Sequence, residues 1–204
     1  MSAWFLLSLA GFTASLLPYF LSLEHGRLRR LLGECTGRRV GDILGVASGW
    51  GFFGFWIGIW VAPQTRLSPI GFKVALLGYA SGLLNLALAL VFLLPGFWYG
   101  LKGVSELGLR VSETHRPVEV VSSGVYGVVR HPQYLGGLLG HLGVSMLLSS
   151  RDSLLVTPLV MAAVYAICWK EEHELLKEFG EAYQQYTATV PMLIPRLRSR
   201  NQPS

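Results

Sequence analysis

The sequence predicts an all-α integral membrane protein, built as a bundle of five transmembrane helices with a C-terminal amphipathic helix. Of its 204 residues, 51% are hydrophobic and only 14% are charged, and the apolar residues fall in long blocks. A helix needs roughly 20 apolar residues to cross a bilayer, or a few fewer at the short end. The amphipathic helix is predicted because Leu175, Phe179 and Tyr183 recur at helical spacing. The apolar blocks, of which the last two need flanking residues to complete a span, are 3–23, 43–62, 74–94, 133–149 and 154–169.

The basic residues predict how these blocks are oriented. All of the 17 Lys and Arg except Arg66, Lys73 and Arg151 fall on one side of the membrane if the blocks alternate. The positive-inside rule places that side in the cytosol, with the N-terminus outside and the C-terminus inside, and we expect the plasma membrane of a prokaryote. The net charge of +5 is therefore a topology signal and does not indicate a nucleic-acid partner. The basic tail from Arg196 suits anionic headgroups, so membrane lipids are expected partners.

The chain is expected to form a single membrane domain with two parts. Residues 1–94 make a three-helix scaffold, and residues 95–204 make a functional half with a long loop and two helices. Block one is expected to be a retained anchor, because no basic residue precedes it and no convincing small-x-small cleavage site follows it. In block two, Gly41, Gly45 and Gly49 stand at steps of four. Such a stripe indicates close helix packing within the bundle or, alternatively, a homodimer contact.

A polar stretch at the start of block four is the strongest candidate for a functional site. The predicted loop over residues 95–122 is long enough to be a lid or binding loop, and it leads into residues 123–136, S-G-V-Y-G-V-V-R-H-P-Q-Y-L-G. Pro132 fits the first turn of a helix, where a missing N–H costs nothing. Free backbone N–H groups at such a helix start favour an anionic group on a ligand. The polar side chains of this stretch are Tyr126, Arg130, His131 and Tyr134.

A second polar cluster, Glu171 and Glu172, follows block five directly. Only a few residues join blocks four and five, so the two helices should be antiparallel neighbours and the two clusters should meet. A pocket with aromatic walls, a histidine, an arginine and two carboxylates suits a ligand that carries an adenine, a carboxylate and a cation. S-adenosylmethionine has all three groups, and its sulfonium needs no metal. The two cysteines have no motif spacing, so neither a metal site nor a disulfide framework is predicted.

An ordered series of motifs runs through the second half of the chain. It comprises Leu107-Gly108 with Ser112, then G-V-Y-x-x-V-R-H-P-x-Y-L-G over 124–136, the pair Glu171-Glu172, F-G-x-x-Y-x-x-Y over 179–186, and Val190-Pro191 with Pro195. In this series, residues 106–195 resemble the isoprenylcysteine carboxyl methyltransferase and phospholipid methyltransferase families of integral membrane enzymes. The first hundred residues match these families only in being hydrophobic.

The resemblance implies methyl transfer from S-adenosylmethionine, bound on the cytosolic side, to a lipophilic acceptor that arrives laterally from the bilayer. It also implies that the methionine end of the cofactor meets Glu171. The catalytic candidates are Arg130, Glu172 and His141, of which the last two, and His173, are alternatives for taking a proton from an amine acceptor. For His141 the other interpretation is a hydrogen bond between helices, to Ser145 or Asn85. The cofactor-binding candidates are Val121 and Gly124 through their backbone, Tyr126, His131, Pro132, Tyr134 and Glu171.

Two positions depart from the carboxyl methyltransferase pattern. Ile167 stands where such enzymes place an arginine that would hold a substrate carboxylate, and Val111 stands where a tryptophan is expected. A prenylcysteine carboxylate is therefore less favoured than an amine headgroup, a thiol or another small lipophile. Two further functions stay open. One is a membrane reductase of the sterol-reductase type, which is larger and takes a nicotinamide cofactor, and the other is a scaffold without catalysis, for which Ile167 is the main argument.

Overall fold

The computed structural model describes residues 1–69, 73–76, 79–114 and 118–196. Within this part of the chain the architecture is helical, apart from one short antiparallel pair of strands. The strands are β1 (Lys73–Leu76) and β2 (Tyr79–Gly82). The helices are α1 (Ala3–Ala14), α2 (Leu16–Leu23), α3 (His25–Leu32), α4 (Glu34–Val61), α5 (Leu83–Leu107), α6 (Leu109–Thr114), α7 (Pro132–Leu147), α8 (Arg151–Leu155), α9 (Thr157–Phe179) and α10 (Glu181–Thr189), with a 3₁₀ turn at Gly124–Gly127.

Three helical segments among the described residues are long and apolar enough to cross a membrane. They are Ala3–Leu23, which joins α1 and α2, Glu34–Val61 and Leu83–Leu107. The predicted class, a helical membrane protein, is confirmed by these segments. The predicted bundle of five spans stays a prediction, because α7 has 16 residues and the second half of α9 is charged. The membrane contact of the C-terminal amphipathic helix also stays a prediction.

The first span breaks between α1 and α2 at Ser15. Pro18 explains the position of the break, because a proline lacks the N–H that would bond to the carbonyl four residues earlier, and its ring crowds that carbonyl. In this chain the carbonyl belongs to Ala14, the last residue of α1. Helix α2 then packs against α4 and α9, where it contributes Tyr19 to the site described below.

The prediction for block three is wrong at both ends. Its first residues form the β1–β2 pair, in which Lys73 lies opposite Gly82, and the helix begins only at Leu83. Glycine is a poor helix former, and Gly82 has extended backbone angles. The helix then continues through Pro95 to Leu107 and is followed by α6, so the predicted loop over 95–122 is wrong for 95–107 and 109–114. Membrane helices tolerate such a proline.

Helices α5 and α7 pack closely through glycines. A Cβ atom added at Gly136 would lie 2.6 Å from the backbone nitrogen of Gly100, and one added at Gly96 would lie 3.1 Å from the nitrogen of Gly140. The predicted close-packing role is therefore confirmed for Gly136, whereas a Cβ atom added at Gly140 would meet nothing within 4 Å. In α4, Gly41 and Gly45 are buried on a helix that packs against α1, α2 and α3. That supports packing within one chain, and the homodimer alternative stays a prediction.

The apolar core joins the N-terminal helices to α9. Phe12 of α1 stacks on Phe52 of α4 with ring centroids 4.3 Å apart, and Trp56 packs edge-on against both rings. Helix α9 completes this cluster with a buried face that includes Ile167, which is fully buried. The core therefore fixes the positions of α2, α4 and α9 relative to one another, and α2 and α9 carry polar residues of the site.

Candidate functional site

The C-terminal segment holds the polar stretch in place through its backbone. The N–H of Arg130 donates to the carbonyl of Pro191 at 2.9 Å, and the N–H of His131 donates to the carbonyl of Met192 at 3.1 Å. Helix α7 then begins at Pro132, as predicted. Sequence reasoning placed Pro191 in a motif but missed that its carbonyl is the partner of Arg130.

Arg130, His131 and Glu172 form a buried ionic cluster. The Nε and Nη2 atoms of Arg130 donate to the two carboxylate oxygens of Glu172 at 2.7 and 2.9 Å, and Nη1 donates to the carbonyl of Thr187 at 3.0 Å. The Nε2 atom of His131 lies 3.2 Å from Oε1 of Glu172. Burial by itself raises the pKa of Glu172, but its bonds to His131 and Arg130 outweigh burial and hold that pKa below its usual value. This geometry favours a positioning role for Arg130 and Glu172 over proton transfer.

The other carboxylate, Glu171, contacts two tyrosines. The hydroxyls of Tyr19 and Tyr134 both donate to its Oε1 atom, the first at 2.9 Å, and the two hydroxyls also contact each other. The Nδ1 atom of His131 lies 3.5 Å from Oε2 of Glu171. His131 therefore stands between the two glutamates, as the prediction that the polar clusters meet requires. Tyr19 was missed because it lies in an apolar block far away in the sequence.

A second group of hydrogen bonds surrounds Tyr126. Its hydroxyl donates to the carbonyl of Gly103 at 3.1 Å and accepts from the side-chain amide of Gln133 at 3.0 Å. The same amide nitrogen lies 2.9 Å from the hydroxyl of Ser112. Burial raises the pKa of Tyr126 to about 12, so the phenol is protonated at neutral pH. Tyr126 and Gln133 thereby tie α7 to α5.

Gly124 has a structural reason to be glycine. Its φ angle is +57°, and an added Cβ atom would lie 2.3 Å from a carboxylate oxygen of Glu106. That same oxygen accepts from the N–H of Val125 at 2.9 Å. Glu106 thus fixes the 3₁₀ turn that leads to Tyr126, a role that the sequence patterns did not reveal.

These residues line a polar cavity with about 880 Å³ of empty space, counting its open mouth. Its wall combines carboxylates, aromatic rings and two histidines, His25 and His131, and this donor set fits a ligand that carries a cation and a flat aromatic base. Glu174 and Tyr183 also belong to the wall and were not predicted. Gly124 and Glu172 lie behind the wall and act through their neighbours. The predicted site residues that line the cavity are Val121, Tyr126, Arg130, His131, Pro132, Tyr134 and Glu171.

An apolar cavity of about 1700 Å³, counting its open side, lies between α4, α5 and α7. Trp56 and Trp60 form part of its wall, and glycines of all three helices leave the space open. The two cavities share Ser112, Gln133 and Tyr134 as wall residues, while Tyr19 lies on the apolar side. The polar and apolar cavities therefore adjoin at Tyr134.

His141 lies apart from both cavity walls. Its Nδ1 atom accepts from the indole nitrogens of Trp56 and Trp60 at 3.0 and 3.1 Å, and its Nε2 atom lies 3.2 Å from the hydroxyl of Thr157. The expectation of a hydrogen bond between helices is confirmed, but the suggested partners are wrong. The side chain of Asn85 donates to Ser149 instead, at 2.9 Å. A role for His141 as a base stays a prediction that this position disfavours.

Comparison with known proteins places these residues in a family. The family model described as phospholipid methyltransferase matches residues 77–182. A protein-S-isoprenylcysteine O-methyltransferase from Schizosaccharomyces pombe is 39% identical over 94 residues, which are 46% of this chain and 40% of that protein. Methanethiol S-methyltransferase 2 from Bradyrhizobium diazoefficiens is 38% identical over 76 residues, which are 37% of this chain and 29% of that protein.

A Delta(14)-sterol reductase from Mus musculus is also similar, at 33% identity over 96 residues, which are 44% of this chain and 22% of that protein. All three alignments span less than half of the relative's length. No solved structure gave a significant match.

Proposed function

The chain belongs to the phospholipid methyltransferase family, and we propose that it transfers a methyl group from S-adenosylmethionine to a lipophilic or membrane-associated acceptor at the cytosolic face of a membrane. The observation that carries this proposal is the contact between the two cavities. A polar cavity suited to the methyl donor and an apolar cavity suited to the acceptor adjoin at Tyr134. Methyl transfer needs such a junction, because the two reactants must be held close and in line.

The residues of the polar cavity divide the work of holding the donor. Glu171 offers its carboxylate to the cationic part of the methionine end, and Tyr126 and Tyr134 offer aromatic faces. His131 is fixed between Glu171 and Glu172, so its ring has a defined orientation toward the cavity. S-adenosylmethionine supplies an electrophilic methyl group on a sulfonium sulfur. The protein supplies the binding, the alignment and the exclusion of water.

The apolar cavity limits the acceptor to molecules with a substantial hydrophobic part. Its wall is formed mainly by tryptophan, phenylalanine, leucine, valine and glycine, which favour hydrocarbon over charge. The names of two relatives mention an isoprenylcysteine and methanethiol, a lipophilic and a small sulfur compound. Because the cavity wall is apolar, we expect the acceptor of this chain to resemble the lipophilic compound more than the small one.

The sterol-reductase alternative is supported by one observation, the alignment of 96 residues with the Mus musculus enzyme. It covers about a fifth of that enzyme, whereas the methyltransferase family model covers half of this chain. A fluorescence titration with NADPH beside one with S-adenosylmethionine separates the two. Saturable binding of NADPH in place of S-adenosylmethionine supports the reductase.

Calorimetric titration of the detergent-solubilised protein with S-adenosylhomocysteine tests the proposal. We expect saturable binding that is weakened at least tenfold in His131→Ala, because that ring joins both glutamates of the site. Tyr165→Phe is the matched control, since Tyr165 is 55% exposed on α9 and its variant should bind like the wild type. Absence of binding at millimolar ligand contradicts the proposal. It would favour the alternative function, a membrane scaffold without catalysis.

A further inference from the structure

Tyr19, Tyr134 and Glu171 form one part of the partition between the two cavities, beside Ser112 and Gln133. The first three come from α2, α7 and α9, and they are joined by hydrogen bonds from both hydroxyls to one carboxylate oxygen. Tyr134 and Glu171 face the polar cavity, and Tyr19 and Tyr134 face the apolar one. An acceptor in the apolar cavity therefore meets the methyl donor beside the hydroxyl of Tyr134, which already donates to the carboxylate of Glu171.

The chemistry of this partition discriminates between acceptors. Among the described residues that line the apolar cavity there is no lysine, arginine or histidine, and the carboxylate in the wall, Glu113, accepts from the indole of Trp50 at 3.2 Å. An acceptor carboxylate would meet no cation there and would face Glu171 across the partition. Ile167 does not change this, because it is fully buried in the core. A carboxylate acceptor is disfavoured on electrostatic grounds.

A lipophilic thiol fits the same geometry better than an amine. An alkyl ammonium is charged at neutral pH, with a pKa of about 10, and loses its hydration on entering an apolar cavity. A thiol is mostly protonated at neutral pH, even the cysteine side chain with its pKa of about 8.5, so it enters uncharged and needs to lose its proton only where it reacts. The partition provides an acceptor for that proton at the right place, in Glu171.

We propose that the acceptor is a lipophilic thiol, and that Tyr134 relays its proton to Glu171 while Tyr19 positions the pair. This inference rests on the proposed function. The thiol proton passes to the Tyr134 oxygen as the Tyr134 proton passes to Glu171. The sulfur of the acceptor uses its freed electron pair to form the new S–CH₃ bond, and the old bond to the methyl donor breaks with its electron pair left on the donor sulfur. The products are a neutral thioether, a neutral thioether donor and a protonated Glu171, which later releases its proton to solvent.

The test uses the purified full-length protein, methyl-labelled S-adenosylmethionine and two probes of equal chain length, 1-dodecanethiol and dodecanoate. We expect labelled methyl dodecyl sulfide and, by comparison, at least tenfold less methyl dodecanoate. Tyr134→Phe should lower transfer to the thiol at least tenfold at pH 7. The deficit should shrink as the pH approaches the pKa of the alkanethiol, which lies above the value of about 8.5 for cysteine, because the thiol then ionises without help. Tyr19→Phe should lower transfer less, and Tyr165→Phe should match the wild type.

Two measurements do not depend on turnover. Titration with 1-dodecanethiol, without a methyl donor, should change the tryptophan fluorescence, because Trp56 and Trp60 line the apolar cavity. Tyr165→Phe should bind S-adenosylhomocysteine within twofold of the wild type, since Tyr165 does not belong to the wall of either cavity.

Equal methylation of dodecanoate, or a Tyr134→Phe variant with the same deficit at every pH, overturns the inference. If the wild type binds S-adenosylhomocysteine and transfers methyl groups to native membrane extracts but not to 1-dodecanethiol, this inference fails while the proposed function stands. If S-adenosylhomocysteine does not bind at all, the proposed function itself fails.

Discussion

Gly136 lies where α7 touches the backbone of α5. An added Cβ atom would lie 2.6 Å from the nitrogen of Gly100 and 2.7 Å from the carbonyl oxygen of Gly96. Both are backbone atoms, so neither can rotate away as a side chain could. The position matters for the site, because Gln133 and Tyr134 stand in the preceding turn of α7. A displacement of α7 from α5 therefore moves the junction of the two cavities.

Gly136→Ala should destabilise the protein by about 1–3 kcal/mol, the usual cost of overpacking. Gly140→Ala, one helical turn further along, is the matched control, because an added Cβ atom there meets nothing within 4 Å. Since alanine is the better helix former, that variant should melt at or slightly above the wild-type temperature. Thermal unfolding in detergent followed by circular dichroism gives both values. Equal melting temperatures for the two variants would show that α5 can move aside without cost.

At the scale of elements, the site depends on the way α9 and α10 are tied to the start of α7. Arg130 makes most of this connection, with two bonds to Glu172 of α9 and one to the carbonyl of Thr187 in α10. The hydroxyl of Tyr186 adds a bond to the carbonyl of Tyr126 at 2.6 Å. Arg130 thus connects the start of α7 to both α9 and α10. Losing its side-chain hydrogen bonds should therefore loosen the packing of these three helices together.

Arg130→Lys should weaken S-adenosylhomocysteine binding at least threefold and lower the melting temperature. Lysine keeps the charge but offers no planar fork for both oxygens of Glu172 and the carbonyls of α10. The control is Arg27→Lys, because Arg27 is 63% exposed in its pair with Glu24 and exposed ion pairs contribute little. Calorimetry and thermal unfolding measure the two effects. A variant that behaves like the control would mean that charge alone holds these elements together.

Over the whole molecule, the sequence patterns predict what is local or periodic. The apolar blocks identify the membrane class, and the short connection between blocks four and five predicts that His131 meets Glu171. The patterns miss what depends on distant contacts. Tyr19 lies in an apolar block, and only the folded chain brings its hydroxyl to Tyr134 and Glu171. Likewise, nothing in the sequence around Glu106 indicates that its carboxylate binds the turn at Gly124. The extension of α5 beyond Pro95 is equally hidden, because it depends on packing against the glycines of α7.

Several acidic residues at one end of the molecule share a low pKa. Arg27, opposed by burial and helped by Lys170, lowers the pKa of Glu24. Burial opposes the same shift at Glu172, where His131 and Arg130 lower the pKa. Glu172 ties α9 to the start of α7 in a buried pair, whereas the exposed pair of Glu24 with Arg27 contributes little to stability. A carboxylate with a lowered pKa in the folded state stabilises that state above its unfolded pKa, near 4.5, and this stabilisation is lost as the pH falls through the folded value.

The protein should therefore lose stability in acid below about pH 4.5, and Glu172→Gln should remove part of that dependence. At pH 7 the variant lacks the carboxylate that pairs with Arg130, so it should melt below the wild type. In acid the wild-type Glu172 becomes protonated, so the free energies of unfolding of the two proteins should converge. The difference between them should fall by roughly 1.4 kcal/mol for every unit by which folding lowers the pKa of Glu172. Glu34→Gln, at a side chain that is 83% exposed, should follow the wild type at every pH. Melting temperatures measured from pH 7 to about pH 3.5 decide the matter, since a gap that stays constant into acid would show that Glu172 stabilises the fold through its shape and not through its charge.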